Sequence, residues 1–171
     1  MSQTKQNIIL IGMMGTGKST VGGILAEHLG YTLVDLDAAV VSEAGMTIPE
    51  IFELHGEAFF RKVETDMLCK VLSSGNRQIV ATGGGAVLKP INCELMVDGG
   101  FVVALTAEAE MIIDRVKGDS NRPLLAGNAE ERIRTILEER KQAYQFAHCT
   151  VDTSRLGADE VAQQILTHYR V

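Results

Sequence analysis

The octapeptide Gly12-Met13-Met14-Gly15-Thr16-Gly17-Lys18-Ser19 leaves this chain few folds to choose from. It fits the pattern GxxxxGK[ST], which works only between a strand and a helix. Both flanks are present. Ile8-Ile9-Leu10-Ile11 is a continuous apolar run that stops at Gly12. Val21, Ile24, Leu25, His28 and Leu29 then recur at helical spacing, with Gly30 placed to end the helix. Glycines let successive N–H groups turn toward one cluster of phosphate oxygens, aided by the positive N-terminus of the helix. Lys18 then reaches the β and γ phosphates, and the Ser19 hydroxyl is a ligand for Mg²⁺. The plain alternative is a glycine-rich turn with a surface lysine. A dinucleotide turn fits less well, because Gly15-Thr16-Gly17-Lys18-Ser19-Thr20 lacks the third glycine of GxGxxG.

The rest of the chain supplies matching parts. Thr32-Leu33-Val34, Ile79-Val80-Ala81, Phe101-Val102-Val103-Ala104-Leu105 and Thr150-Val151 are further short apolar runs. Such runs predict strands buried on both faces, hence a parallel sheet covered by helices. Helical stripes lie between them: Val63, Met67, Leu68 and Val71 within 59–72, then Met111, Ile112, Arg115 and Val116, then Ile133, Ile136, Leu137 and Arg140, then Val161, Ile165 and Leu166. Strand and helix in alternation predict a doubly wound α/β sheet. The 171 residues suit one domain over 1–171. The polar stretch 117–127 reads as a loop long enough to be a lid or a binding loop.

Composition narrows the partners. The net charge is −6, a poor basis for a broad phosphate footprint, so no nucleic-acid partner is expected. No apolar run approaches the ~20 residues that span a bilayer, and no membrane partner is expected. Cys69, Cys93 and Cys149 show no CxxC spacing, so a reducing cytoplasm fits better than a disulfide scaffold. The four histidines have no metal spacing and read as structural.

Ligands of open α/β sheets sit beyond the carboxyl ends of the strands. After the second run comes Asp35-Leu36-Asp37, whose period-two spacing would put both carboxylates on one side of an extended backbone. One could serve Mg²⁺ through water and the other a substrate hydroxyl; a turn with an aspartate helix cap explains them equally. After the third run come Gly83, Gly84 and Gly85, either an approach for a ligand or an awkward turn. Asp152-Thr153-Ser154-Arg155 follows the last run, where a helix cap is as good an account. Arg61, Arg122 and Arg140 each read singly as surface charge, although arginine suits bidentate recognition of carboxylate and phosphate.

Taken together, these residues resemble the shikimate kinases, P-loop kinases of the nucleoside monophosphate kinase type. The resemblance runs from Ile8 to about Ile165. It rests on the P-loop through Thr20, on Asp35-Leu36-Asp37, on Gly56-Glu57-Ala58-Phe59-Phe60-Arg61-Lys62-Val63-Glu64, on Ala81-Thr82-Gly83-Gly84-Gly85 and on Arg122-Pro123-Leu124-Leu125. It implies a five-stranded parallel sheet of order 2-3-1-4-5 in a single kinase domain, with a substrate-binding region at about 38–64 and a mobile lid at about 117–127. It implies ATP- and Mg²⁺-dependent phosphorylation of the 3-hydroxyl of shikimate, on the route to chorismate and the aromatic amino acids, by a cytoplasmic enzyme that is usually a monomer. Carried over by position, Lys18, Asp37 and Arg122 are catalytic, with Asp37 taking the proton of the 3-hydroxyl. Gly15, Thr16, Gly17, Lys18, Ser19, Thr20, Arg115, Arg122 and Arg155 contact ATP. Asp37, Arg61, Gly83, Gly84, Gly85 and Arg140 bind shikimate, the two arginines by its carboxylate. Ser19, and Asp35 through water, hold Mg²⁺. The chain departs from the family at Gln142, where RxPxY has proline, while Tyr144 keeps its place. Ala147-His148-Cys149 is also atypical.

Two other readings compete. A gluconate or nucleotide kinase shares the cradle and the lid but needs no arginine pair for a ring carboxylate. A nucleotide-dependent switch of the GTPase kind would carry DxxG and NKxD, and neither occurs.

Overall fold

Strand β1, Ile8–Ile11, is fully buried and lies at the centre of the sheet. The computed structural model describes residues 6–116 and 129–169. The other strands are β2 (Thr32–Asp35), β3 (Gln78–Ala81), β4 (Phe101–Thr106) and β5 (Cys149–Asp152). All pairings are parallel, in the order β2-β3-β1-β4-β5 that the resemblance implied. Ile9 is in register with Val80 on one side and Val102 on the other.

Successive residues of β1 feed opposite layers, as the period of a strand requires. Ile8 and Leu10 pack with Val21 and Leu25 of helix α1 (Lys18–Leu29) and with Val161 and Ile165 of α7 (Ala158–Tyr169). Ile9 and Ile11 pack on the other face with Leu68 of α3 (Ile48–Ser74) and Met96 of α4 (Pro90–Gly99). Trimming a side chain from such a layer typically costs about 2–5 kcal/mol. Two smaller clusters carry the site. Met13 and Met14 of the P-loop pack against Ile112 of α5 (Ala109–Val116) and Ile133 and Ile136 of α6 (Ala129–Glu139). Val40 of α2 (Leu36–Ala44) packs on Ile51 and Phe60 of α3.

Three expectations need correction. First, β2 is not buried on both faces. It is one edge of the sheet, and Leu33 is 39% exposed; β5 is the other edge, and its Thr150 and Asp152 are exposed. Second, Asp37 does not continue an extended strand. The backbone turns helical at Leu36, so Asp37 stands in the first turn of α2. Third, the helix expected over 59–72 runs over Ile48–Ser74. It opens with a capping box, in which the Thr47 hydroxyl accepts from the Glu50 N–H and Glu50 Oε1 accepts from the Thr47 N–H. Gly56, at φ 85° and ψ 172°, breaks it into 48–55 and 57–74. A residue with a Cβ would be strained there.

The atypical Ala147-His148-Cys149 segment has a clear role. The His148 N–H donates to the Val102 carbonyl at 2.9 Å, and the Val102 N–H donates to His148 Nδ1 at 2.9 Å. An imidazole nitrogen thus stands in for a carbonyl and lengthens the pairing of β4 with β5. The ring also stacks on Phe101, 5.5 Å between centroids.

Candidate active site

The P-loop links β1 to α1, and its own bonds set its shape. Thr16 Oγ1 donates to the Met13 carbonyl at 2.7 Å. Lys18 Nζ donates to the carbonyls of Gly12 at 2.6 Å and Met13 at 2.9 Å, which holds the ammonium under the loop. A cavity of about 220 Å³ opens beside it, lined by Gly15, Gly17, Lys18, Ser19 and Thr20 and, from across the sheet, by Asp35, Asp37 and Gly83.

The helix-cap reading of Asp35 holds. Its Oδ1 accepts from the Ala38 N–H at 3.2 Å and caps α2. Its Oδ2 accepts from the Ser19 hydroxyl at 3.4 Å, at the cavity wall. A hydroxyl and a carboxylate are hard oxygen donors. That set fits Mg²⁺, which takes one or two protein ligands and fills its other positions with water and phosphate oxygens.

The three glycines after β3 lean on three different groups. A side chain at Gly83 would meet Asp37 Oδ1 at 2.9 Å and Glu64 Oε2 at 3.2 Å. One at Gly84 would lie 3.5 Å from Arg140 Nη1. One at Gly85 would collide with the Arg61 guanidinium. The close approach made possible here is to the chain's own charged side chains. Arg61 and Arg140 are 8% and 7% exposed, which corrects their reading as surface charge. Arg140 follows directly on α6, its N–H donating to the Ile136 carbonyl at 2.9 Å, and its Nη1 lies 4.0 Å from Met13 Sδ. Gln142 does not disturb this. It is exposed and forms tight turns with its neighbours, the Ala143 N–H donating to the Arg140 carbonyl at 2.9 Å.

Sequence reasoning left three contributors out of the site. Glu64 is fully buried and accepts from Arg61 Nη1 at 3.0 Å. Burial pushes its carboxyl above the ordinary range; the Arg61 guanidinium opposes that rise and the Asp37 carboxylate adds to it. The signal was in the segment already quoted, since a residue three after Arg61 shares its helix face. Glu57 accepts from Arg61 Nη2 at 3.4 Å. Tyr144 donates its hydroxyl to the Gly84 carbonyl at 2.7 Å; burial raises its phenol, and Arg140 beside it opposes the rise.

A second cavity, of about 250 Å³, lies on the far side of the P-loop between Thr16, Thr153, Leu156 and Val161. Arg115 bridges its rim, with Nη1 donating to the Gly15 carbonyl at 2.9 Å and Nη2 to the Thr153 carbonyl at 3.4 Å. Arg155 is exposed and directly precedes Leu156 of that lining. Arg122 and the whole of 117–127 lie outside the described residues.

Known proteins are similar to this chain in sequence and fold. The family model described as shikimate kinase matches residues 14–170. A shikimate kinase from Geobacter sulfurreducens is 45% identical over 96% of this chain and 91% of that protein. The solved structure of a shikimate kinase from Acinetobacter baumannii in complex with shikimate superposes with a TM-score of 0.92, at 42% identity over 96% of this chain and 92% of that one. A shikimate kinase from Aquifex aeolicus superposes with a TM-score of 0.84, at 35% identity over 96% of each chain.

Proposed function

The chain belongs to the shikimate kinase family and phosphorylates shikimate in aromatic amino acid biosynthesis, and we propose that it moves the γ-phosphoryl group of ATP directly to the 3-hydroxyl with Mg²⁺ as the metal. The observation that carries this reading is the glycine turn. Three successive glycines are backed by Asp37, Arg140 and Arg61, and Gly83 and Asp37 also line the P-loop cavity. An acceptor seated on that turn presents its carboxylate to two buried guanidinium groups and a hydroxyl to Asp37.

Phosphoryl transfer is mostly positioning and charge stabilisation. Arg61 and Arg140 orient the acceptor, and their forks suit a planar carboxylate. Asp37 accepts the proton of the attacking hydroxyl. Lys18 swings from the Gly12 and Met13 carbonyls to the β and γ phosphates, which supply better-charged acceptors. The P-loop N–H groups hold the remaining phosphate oxygens. Ser19, and Asp35 through water, would hold Mg²⁺, which neutralises phosphate charge when bound. Arg122 acts on the phosphates and Arg115 and Arg155 flank the base, as the family resemblance implies. The second cavity, with Arg115 at its rim, supports the placing of the base.

We also read the protein as a single domain over 1–171, a monomer of the reducing cytoplasm, with no nucleic-acid or membrane partner. The acidic balance of −6 supports this, as do three unpaired cysteines. Among the described residues no helix is long and apolar enough to cross a membrane.

The test is a coupled assay of ADP release with MgATP and, in turn, shikimate, gluconate, AMP and dCMP. Turnover with shikimate alone is expected. Turnover with gluconate or AMP but not shikimate would overturn the reading.

A further inference from the structure

Resting on the reading that Arg61 grips the acceptor's carboxylate, we propose that Glu57 is an internal competitor for that grip, whose carboxylate must give way when the acceptor arrives and which thereby lowers acceptor affinity.

The geometry divides the Arg61 guanidinium into an inner and an outer part. Nη1 bonds to Glu64, whose side chain is wholly buried. Nε is enclosed and has no hydrogen-bond partner among the described residues. Nη2 is the outer donor, in a partly buried bond with Glu57 Oε1 at 3.4 Å. Nη2 is also the Arg61 atom nearest to where a side chain on Gly85 would stand, so the edge turned to the glycine turn already carries a carboxylate.

Burial decides which partner yields. The side chains of Arg61 and Glu64 are 10% and 0% exposed, whereas that of Glu57 is 54% exposed. The guanidinium also abuts the backbone of Gly85, which blocks retreat on that side. Glu57 is the first residue after the break at Gly56, so one turn of helix and a long side chain are all that hold its carboxylate in place. Releasing it into water carries little penalty, because a pair this exposed is weak. Glu57 also adds a negative charge beside the site of an anionic acceptor. Removing that charge favours the acceptor twice, by vacating the donor and by lowering repulsion.

Calorimetric titration of shikimate and of its methyl ester into the wild-type protein, Glu57→Gln and Glu57→Ala tests this. Both variants should bind shikimate about two- to fivefold more tightly, the range for a half-exposed ion pair. The ester has no carboxylate charge and should bind all three proteins alike. Glu57→Gln keeps the side chain's bulk and so guards against a packing defect in the alanine variant. Unchanged or weaker shikimate binding would make Glu57 a residue that orients Arg61 and would overturn the proposal. Equal tightening of the ester would overturn it as well, by showing that no carboxylate seat is contested. A wild-type protein that binds no shikimate would instead defeat the functional reading itself.

Discussion

The Tyr144 hydroxyl reaches the Gly84 carbonyl at 2.7 Å and so ties the turn after α6 to the glycine turn after β3. Arg140 stands four residues earlier in the same turn, so this bond fixes the distance between Arg140 and the glycine turn. Burial keeps the phenol protonated, hence a donor, throughout the working range. Tyr144→Phe should raise the KM for shikimate about two- to tenfold, the worth of one ordinary hydrogen bond, and leave the KM for ATP unchanged. Steady-state kinetics with each substrate varied in turn would show the split.

Lys18→Ala should keep the fold and lose about 10² or more in kcat, since the ammonium acts on charge that develops during transfer. Circular dichroism would confirm the fold, and the coupled assay the loss. Activity within a few-fold of wild type would contradict the role.

Asp35 and Asp37 share a strand end yet differ in what they touch. Asparagine can still cap α2, so Asp35→Asn should keep stability and raise the Mg²⁺ concentration needed for half-maximal rate. Asp35→Ala should in addition lose about 1 kcal/mol of stability with the cap. Asp37→Asn should depress kcat by roughly 10²–10⁴, the usual share of a general base, with no rescue by excess metal. Metal titrations of kcat, with urea denaturation alongside, separate the three variants.

Glu64 gives the protein a pH dependence of definite sign. Its carboxyl is raised above the ordinary 4.5 by burial, so the folded chain holds that proton more tightly than the unfolded chain. Stability from this group is complete below about 4.5 and is lost as pH rises through the folded value. Glu64→Gln should flatten that slope and also weaken shikimate binding, because Arg61 loses its buried partner. Denaturant midpoints measured from pH 4 to 8 would show whether the wild-type slope exceeds that of the variant.

His148→Ala should lower stability by about 0.5–1.5 kcal/mol, the worth of a hydrogen bond to the Val102 N–H. The kcat should be unchanged, because His148 pairs near the start of β4 while the site lies beyond the strand ends. A thermal melt and one rate measurement suffice.

The parts legible in the sequence were those with fixed local grammar. The P-loop, the strand order through the family resemblance, and the helix that begins near Lys18 and ends at Leu29 needed no distant contacts. Asp35 and Asp37 were expected on one side of an extended backbone; both line one cavity, but a helix rather than a strand carries Asp37. The capping box at Thr47 and Glu50 was readable, yet the stripe over 59–72 drew the helix start too late. Gly56 explains the difficulty, because its break interrupts the helical period that a stripe relies on. Edge exposure of β2 could not be read from Thr32-Leu33-Val34, since which strand lies outermost is decided by the whole sheet. The burial of Arg61 and Arg140 was hidden for the same reason: a charge looks solvated until the glycine turn packed against it is known.

The position of β1 at the centre of the sheet and of β2 at its edge divides the enzyme by durability. The phosphate cradle hangs from a strand sealed on both faces, among the last parts of such a fold to open. Asp35 and Asp37 follow an edge strand, paired on one side only, and edges open before the centre. Warming therefore erodes the two halves of the site in sequence. The molecule loses its grasp of the sugar-like ring while the triphosphate still has somewhere to sit, so a sample that has stopped turning over can still be retained on an immobilised nucleotide.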